Sequence, residues 1–334
     1  MRVVQVLGGA EDGGLEKHTI ELAHSLRKKG VDVSVIAHKK FKNDFGDLNF
    51  IECDLSRGRN NPLALFQLYK ILKQNSFDII HAQANKATDM VIKLKPFLNS
   101  KIVSTLHSCK KNTSSFEKSD FVITVSDKIG EHLKTKNRKT VYNGIDMQNI
   151  QKIDLYKKFN IPKESFIVCS VGRFVKAKRF DILINAFKLL NSHFHLILIG
   201  CGDDELEKKA KQENNITVTG CIDNIRTKEI LKSSNLCAIS SHREGFSYVF
   251  AESLMLETPL VSTDVADIKK FIPNKFIAKL KAKDIANKIE SFYSKKEKNL
   301  ALYKDIFSLA KEKFSIDDMT NNTLKIYKKV LSCI

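Results

Sequence analysis

The sequence predicts an α/β protein made of two successive open parallel sheets, and three observations support this. Short apolar runs alternate with helical runs up to about Asp146, and the same alternation restarts at about Ser165 after a polar, lysine-rich stretch. An alternation of strand and helix is the signature of a parallel sheet covered on both faces. At 334 residues the chain suits two domains, each large enough to bury its own core.

Taken in order, strands are expected near Val3–Leu7, Val31–Ala37, Ile79–Ala82, Ile102–Leu106, Phe121–Val125 and Thr140–Tyr142, with helices such as Leu15–Lys29 and Pro62–Gln74 between them. Gly30 stands where a glycine closes the first long helix. In the second series the strands fall near Phe166–Val171, Leu196–Ile199, Ile216–Val218, Leu236–Ile239 and Leu260–Ser262. Helices near Phe180–Leu190, Glu205–Glu213, Ile225–Lys232, Ser247–Glu257 and Ala266–Phe271 separate them. The remainder is helical and ends with Asp317–Leu331, where Met319, Leu324, Ile326, Tyr327 and Val330 form an apolar stripe. Two such sheets place a ligand cleft between them, at the carboxyl ends of the strands.

Composition narrows the class further. Hydrophobic residues make up 43% and charged residues 28%, the balance of a globular protein. The amino-terminal Met1–Leu7 run reads as a buried strand, too short for a signal-peptide core, and no apolar run approaches the roughly 18 residues of a membrane span. The expected location is therefore cytoplasmic. Seven cysteines, at 53, 109, 169, 201, 221, 237 and 333, are scattered without a CxxC pair, so neither a disulfide framework nor a zinc site is expected. Cys169, Cys201 and Cys237 read as small core residues in or beside apolar runs. The formal charge is +18, with an excess of +8 in residues 1–150 and +10 in residues 151–334. Such a field favours anionic partners, whether nucleotides, the inner leaflet of a membrane or nucleic acid.

The stretch Ser240–Val261, SSHREGFSYVFAESLMLETPLV, joins a strand through a glycine turn to a helix and a second strand. Within the helix, Glu252 has Tyr248, Val249, Met255 and Leu256 as its surface neighbours, all apolar. A carboxylate on such a face is costly to bury unless donors or a ligand meet it; the other reading places it on a wet helix face. Glu244 precedes the helix in the turn. Gly8-Gly9-Ala10-Glu11-Asp12-Gly13-Gly14 follows the first strand and opens a helix, which suits either phosphate binding on free N–H groups or merely a tight turn. It is not GxGxxG. Gly172-Arg173-Phe174-Val175-Lys176-Ala177-Lys178 follows the first strand of the second sheet, where Arg173 and Lys178 are placed to clamp a diphosphate, while Lys176 and Arg179 suit solvated surface as well. Gly200-Cys201-Gly202 reads as turn chemistry. His81 and His107 each end an apolar strand, either as core residues or as groups that polarise a hydroxyl or bind a sugar. No DxD, HExxH or GxSxG motif is present.

These residues resemble the family 4 glycosyltransferases, retaining enzymes of the GT-B fold. Glu244-Gly245-Phe246 with Glu252 is similar to the family's EGF…E signature. Gly13-Gly14-Leu15-Glu16-Lys17-His18, Asp78-Ile79-Ile80-His81, Thr105-Leu106-His107, Val125-Ser126, Asn143-Gly144-Ile145-Asp146, Gly172-Arg173-Phe174 with Lys178, and Pro259-Leu260-Val261 follow in the family's order across nearly the whole chain. The resemblance implies two Rossmann-like domains facing across a deep cleft: an acceptor domain over 1–150, a nucleotide-sugar domain over 151–313, and a helix over 314–334 returning to the first domain. It implies donor contacts from Gly13, Gly14, Asn143, Gly172, Arg173, Lys178, Glu244, Gly245, Phe246, Ser247, Tyr248 and Glu252. Arg173 and Lys178 would hold the diphosphate, Glu252 the ribose and Glu244 the sugar. His107 would lie beside the reacting centre, with Glu244, Arg173 and Lys178 completing the catalytic set. Glu16, His18, His81 and Ser108 are the implied acceptor contacts.

Retention is attributed in this family to same-face attack through an oxocarbenium-like state. No metal and no cofactor are implied beyond the nucleotide sugar itself, a UDP-type donor, because cationic side chains and helix dipoles stabilise the leaving diphosphate. The chain departs from the family's pattern at Ser108 after the histidine, at Gln83 in place of a second histidine, at Arg179 in place of a glycine, at Glu257-Thr258 and at Ala266-Asp267. The function implied is transfer of a sugar to a glycan or lipid-linked acceptor in bacterial surface polysaccharide, lipopolysaccharide or glycoconjugate synthesis, with possible peripheral contact to an anionic inner-leaflet surface through Lys39-Lys40-Phe41-Lys42 or Lys110-Lys111. A nucleotide-sugar epimerase of the same fold is the alternative enzyme. Nucleic acid is not an expected partner, since no zinc-finger, RNP or recognition-helix signature accompanies the charge.

Overall fold

The computed structural model describes residues 1–10, 13–147 and 150–332. Two compact units divide the chain, one formed by Met1–Gly144 with Phe314–Ile334 and the other by Ile145–Lys313. The junction thus falls a few residues before position 150, inside Asn143-Gly144-Ile145-Asp146.

The first unit runs β1 (Arg2–Leu7), α1 (Gly14–Lys28), β2 (Asp32–Ala37), β3 (Asn49–Glu52), α2 (Pro62–Asn75), β4 (Ile79–Gln83), α3 (Ala84–Leu94), β5 (Lys101–Leu106), α4 (Ser114–Glu117), β6 (Phe121–Thr124), α5 (Asp127–Gly130) and β7 (Arg138–Thr140). Its seven strands lie in the order β3-β2-β1-β4-β5-β6-β7, all parallel. Successive side chains of a strand point to opposite faces. Accordingly Val3 joins Leu22 and Leu26 of α1 in one core, while Val4 and Val6 join Leu68 of α2 and Met90 of α3 in the other.

The second unit runs α6 (Leu155–Phe159), β8 (Phe166–Val171), α7 (Phe180–Phe187), β9 (Phe194–Ile199), α8 (Asp204–Lys211), β10 (Ile216–Val218), α9 (Asn224–Ser233), β11 (Leu236–Ile239), α10 (Tyr248–Met255), β12 (Leu260–Thr263), β13 (Ile277–Ala278), α11 (Ala282–Ser294) and α12 (Lys296–Lys313). Its six strands take the order β10-β9-β8-β11-β12-β13, again all parallel. The last helix, α13 (Ile316–Ser332), belongs to the first unit, where Met319, Ile326, Tyr327 and Val330 enter the same core as α1. Gly144 makes room for it, since a Cβ there would lie 2.6 Å from Ile316 Cα. Among the described residues no helix is long and apolar enough to cross a membrane.

Several expectations are corrected. β3 escapes a reading of the sequence because its four residues, NFIE, form a half-exposed edge strand with little apolar signal. The helix expected over Ala266–Phe271 shrinks to one 3₁₀ turn, Ile268–Lys270, since Ala266 has φ +45°, outside helical backbone. The lysine-rich stretch before Ser165 holds α6, capped by Asp154, whose side chain accepts from Lys157 N. Cys201 and Cys221 form a disulfide with Cα atoms 5.2 Å apart, so Cys201 is not a reduced core thiol. The bond follows from topology: β9 and β10 are neighbours, and the residues just past their ends meet through a Gly200–Gly220 bridge. Cys53, Cys169 and Cys237 are buried thiols and Cys109 is exposed. Cys333, like Glu11 and Asp12 of the first glycine turn, lies outside the described residues.

Candidate functional site

In the second unit the chain leaves β8 through Gly172 and β9 through Gly200, and the two loops are laced together. Gly172 N donates to Ile199 O at 2.9 Å, Phe174 N to Cys201 O at 2.9 Å, and Asp203 N to Phe174 O at 3.0 Å. Gly200 has φ +134°, and a Cβ on it would lie 2.0 Å from the Gly172 carbonyl oxygen, so this crossing excludes any side chain. Phe174 is buried and packs edge-on against Phe180, which anchors the loop and leaves Arg173 exposed beside it. Arg179 has φ +53° at the start of α7 and forks onto Asp181, with Nε–Oδ1 at 3.0 Å and Nη2–Oδ2 at 2.9 Å. That left-handed backbone is a physical reason for a glycine to be usual at this position.

The loop after β11 is stitched to the loop after β8. Ser240 Oγ donates to Lys178 O at 2.9 Å, and His242 N donates to Ala177 O at 2.8 Å. Across this seam Lys178 Nζ reaches Glu244 Oε1 at 2.9 Å, and Ser241 Oγ donates to the same oxygen at 2.6 Å. Lys178 and Glu244 were expected to hold separate parts of a ligand; here they pair with each other, each still partly exposed. Beyond Gly245, Phe246 and Tyr248 meet edge-to-face at 5.2 Å between centroids. Ser247 caps α10, its Oγ accepting from Phe250 N at 3.4 Å. Glu252, one turn along, is only 5% exposed. Its buried place in α10 excludes the wet-face reading. Gly172, Arg173, Lys178, Glu244, Gly245, Phe246, Ser247, Tyr248 and Glu252 thus gather around the carboxyl ends of β8 and β11, where two cations, two carboxylates and a helix N-terminus can meet an anion and hydroxyl groups. A cavity of about 480 Å³ opens beside the same loop, between Lys176, Arg179, Lys209 and His242.

In the first unit α1 starts at Gly14, with Gly13 extended at its cap and both exposed. Glu16 and His18 are buried within its first turns, and Ser108 is exposed just past β5. His18 and His107 meet edge-to-face at 4.8 Å. Burial pulls the His18 pKa down to about 4, and a hydrogen bond with the buried Asn143 side chain opposes the shift. His81 is fully buried, with Nδ1 2.6 Å from Tyr327 Oη and Nε2 2.6 Å from Thr105 Oγ1. Its pKa falls to about 3, through burial first and the neighbouring His18 second. Both ring nitrogens of His81 are thus occupied inside the core, the arrangement its reading as a core residue anticipates. His107 is held well below the ordinary range by burial, then by His18 and His81. All three imidazoles are neutral near pH 7.

Sequence reasoning missed the polar network behind these histidines. Gln5 Nε2 donates to Tyr327 Oη at 3.1 Å, Gln83 Nε2 to Gln5 Oε1 at 2.8 Å, and His107 Nε2 lies 2.8 Å from Gln83 Oε1. One signal was present: Gln5 is the single polar residue in the apolar run Val3–Leu7.

Two Rossmann-like parallel sheets in successive units are the architecture of the GT-B fold. Residues 12–149 match the description Glycosyltransferase Family 4, and residues 151–306 match Glycosyl transferases group 1. An uncharacterized 41.2 kDa protein in the cps region of Klebsiella pneumoniae is 26% identical over 82% of this chain and 86% of its own length. The lipopolysaccharide core biosynthesis glycosyltransferase LpsE of Rhizobium meliloti is 24% identical over 76% of each chain. The crystal structure of Anabaena HepE in complex with UDP and glucose superposes with a TM-score of 0.81 at 16% identity, covering 98% of this chain and 100% of that one. This chain belongs to the family 4 glycosyltransferases.

Proposed function

We propose that this glycosyltransferase moves a sugar with retention of configuration from a UDP-sugar to a glycan or lipid-linked acceptor in surface polysaccharide or lipopolysaccharide synthesis. The observation that carries the proposal is the seam between the loops after β8 and β11, where Lys178 pairs with Glu244 on the approach to α10, which holds the buried Glu252, and Arg173 is exposed on the loop after β8. Arg173 and Lys178 take the diphosphate, Glu252 accepts from the ribose hydroxyls, and Glu244, with the amides after Gly245, holds the sugar. In the reaction the bond from the anomeric carbon to the diphosphate oxygen breaks and a bond to the acceptor oxygen forms on the same face. The acceptor proton passes to the leaving diphosphate. The two cations and the helix dipole stabilise that developing charge, so the transfer needs no metal. HepE was crystallised with UDP and glucose, and LpsE is named for lipopolysaccharide core synthesis, which favours this donor and this acceptor class.

Calorimetry with UDP, together with turnover of UDP-sugars in EDTA with and without acceptor extracts, tests the reading. Glu252→Ala and Arg173→Ala are expected to weaken UDP binding by about tenfold or more, the scale of one lost charge-assisted contact. Unchanged affinity in both variants, or isomerisation of the donor without acceptor, would sink it in favour of another ligand or of the epimerase.

Peripheral membrane contact is a second part of the proposal, placed on a new surface. Phe41 is buried, so Lys39-Lys40-Phe41-Lys42 offers a membrane only its lysines. On α2, by contrast, Leu63 and Phe66 are 69% and 66% exposed, with Phe97 nearby at 61% and the exposed Lys70 and Lys73 further along the helix. Such an apolar patch flanked by lysines suits an anionic bilayer. Sedimentation with phosphatidylglycerol vesicles, but not with phosphatidylcholine vesicles, should be lost in a Phe66→Gln/Phe97→Gln variant. Equal sedimentation of both proteins would refute it.

A further inference from the structure

We infer that Gln83, backed by Gln5 and Tyr327, is a positioning residue that fixes the His107 imidazole as its Nε2–H tautomer and leaves Nδ1 as the nitrogen able to accept. The inference deepens the proposed transfer reaction and rests on it, adding a role for His107 beside the reacting centre, where the resemblance to the family places it. The argument is one of donors and acceptors. Tyr327 Oη receives the Gln5 amide N–H at 3.1 Å, and the phenolic hydrogen is directed to its one remaining close partner, His81 Nδ1 at 2.6 Å. His81, neutral, then carries its hydrogen on Nε2 and donates to Thr105 Oγ1 at 2.6 Å. The 3.5 Å approach of Gln83 Nε2 to His81 Nε2 is thereby a contact between two donors, not a bond. With its NH₂ spent on Tyr327, Gln5 presents Oε1 to Gln83 Nε2 at 2.8 Å, so Gln83 presents Oε1 to His107. A carbonyl oxygen only accepts, and His107 Nε2 at 2.8 Å must therefore donate.

The elements make this chain rigid. Gln5, His81 and Gln83 stand on the adjacent strands β1 and β4, Thr105 on β5, with Gln5 paired in register to His81 and Gln83 to Thr105. Tyr327 arrives from α13, 322 residues after Gln5, and is itself fully buried. Reversing the polarity requires both amides and the phenol to turn together, because each hydrogen bond of the chain fixes the direction of the next. A histidine in the wrong tautomer would present N–H where a substrate hydroxyl needs a lone pair.

The test uses the full-length protein labelled with ¹⁵N-histidine, with ring-nitrogen NMR at about pH 7.5, where neutral imidazole dominates. The His107 signals are assigned by their loss in His107→Gln. Wild type is expected to show a protonated Nε2 and a bare Nδ1. Gln83→Met, of similar shape but without acceptor or donor of comparable strength, is expected to show a mixture of tautomers. Gln83→Met should also lose about tenfold or more in kcat with donor KM changed less than about threefold. Tyr327→Phe supplies a second break in the chain and should mix the tautomers partially. A protonated Nδ1 in wild type, or an unaltered tautomer in both Gln83→Met and Tyr327→Phe, would overturn the inference. If His107→Gln transferred sugar as fast as wild type, the catalytic role of His107 would fall, while the tautomer measurement would still decide the network.

Discussion

Lys178 and Glu244 stand 66 residues apart in the chain and 2.9 Å apart in the fold, with side chains 23% and 9% exposed. A pair at that depth contributes less than its distance implies, because both ions give up water to make it. Its removal from one side is another matter. Glu244→Ala leaves Lys178 and Ser241 without their acceptor and, in the proposed function, deprives the transferred sugar of its carboxylate. Turnover is expected to fall by about a hundredfold or more, while urea unfolding should register a loss of only about 1–2 kcal/mol. A stability loss with turnover intact would make the pair structural. Arg179 presents the opposite case: its φ of +53° is strained, yet its fork onto Asp181 is largely solvated and weak. Both features follow from one departure visible in the sequence, a charged residue where the family's pattern has glycine.

At the scale of elements, the Cys201–Cys221 disulfide ties the end of β9 to the end of β10 across a separation of 20 residues. Those ends support the loop that carries Arg173, through the bonds from Phe174 N to Cys201 O and from Asp203 N to Phe174 O. Closing a loop of that length is worth about 3 kcal/mol of chain entropy. Cys201→Ser/Cys221→Ser, or wild type in reductant, is therefore expected to unfold at lower urea and to bind UDP more weakly. Identical unfolding midpoints with and without reductant would show that the bond carries no load. Most strands and helices were legible from periodicity, because strands buried on both faces read as unbroken apolar runs and α1 and α13 carry clear stripes. The disulfide was not. Pairing of Cys201 with Cys221 depends on which strands are neighbours, and strand order is not a local property. Likewise β3 and the one-turn Ile268–Lys270 were hidden by a polar edge and by Ala266's positive φ.

For the whole molecule, the buried His18 and His81 and the half-buried His107 of the first unit set an acid limit. His18 and His81 have pKa values drawn down to about 4 and about 3 from the ordinary 6.5, and His107 moves the same way. Below pH 6.5 the unfolded chain takes up protons that the folded chain refuses. The stabilisation is therefore full above that pH and is lost as pH falls toward 4 and 3. The cost is about 1.4 kcal/mol per pH unit for each histidine still neutral in the fold. Urea midpoints should fall steeply between about pH 6.5 and 4.5, and less steeply in His18→Gln. A flat profile over that window would mean the imidazoles are already protonated when buried.

The sequence by itself determined the class of fold, the family, and which loops carry the glycines, cations and acids, since these are written in contiguous residues whose spacing is local. Only the tertiary structure decided how those groups are used. It paired Lys178 with Glu244, closed Cys201 onto Cys221, sealed His81 inside the core, and brought Tyr327 of the last helix to Gln5 of the first strand. Each of these is a contact between residues far apart in the chain, and such contacts are set by the order of strands and the packing of helices upon them. Hydrogen-bond partners and desolvation, which fix ionisation and tautomer, exist only once that packing is complete.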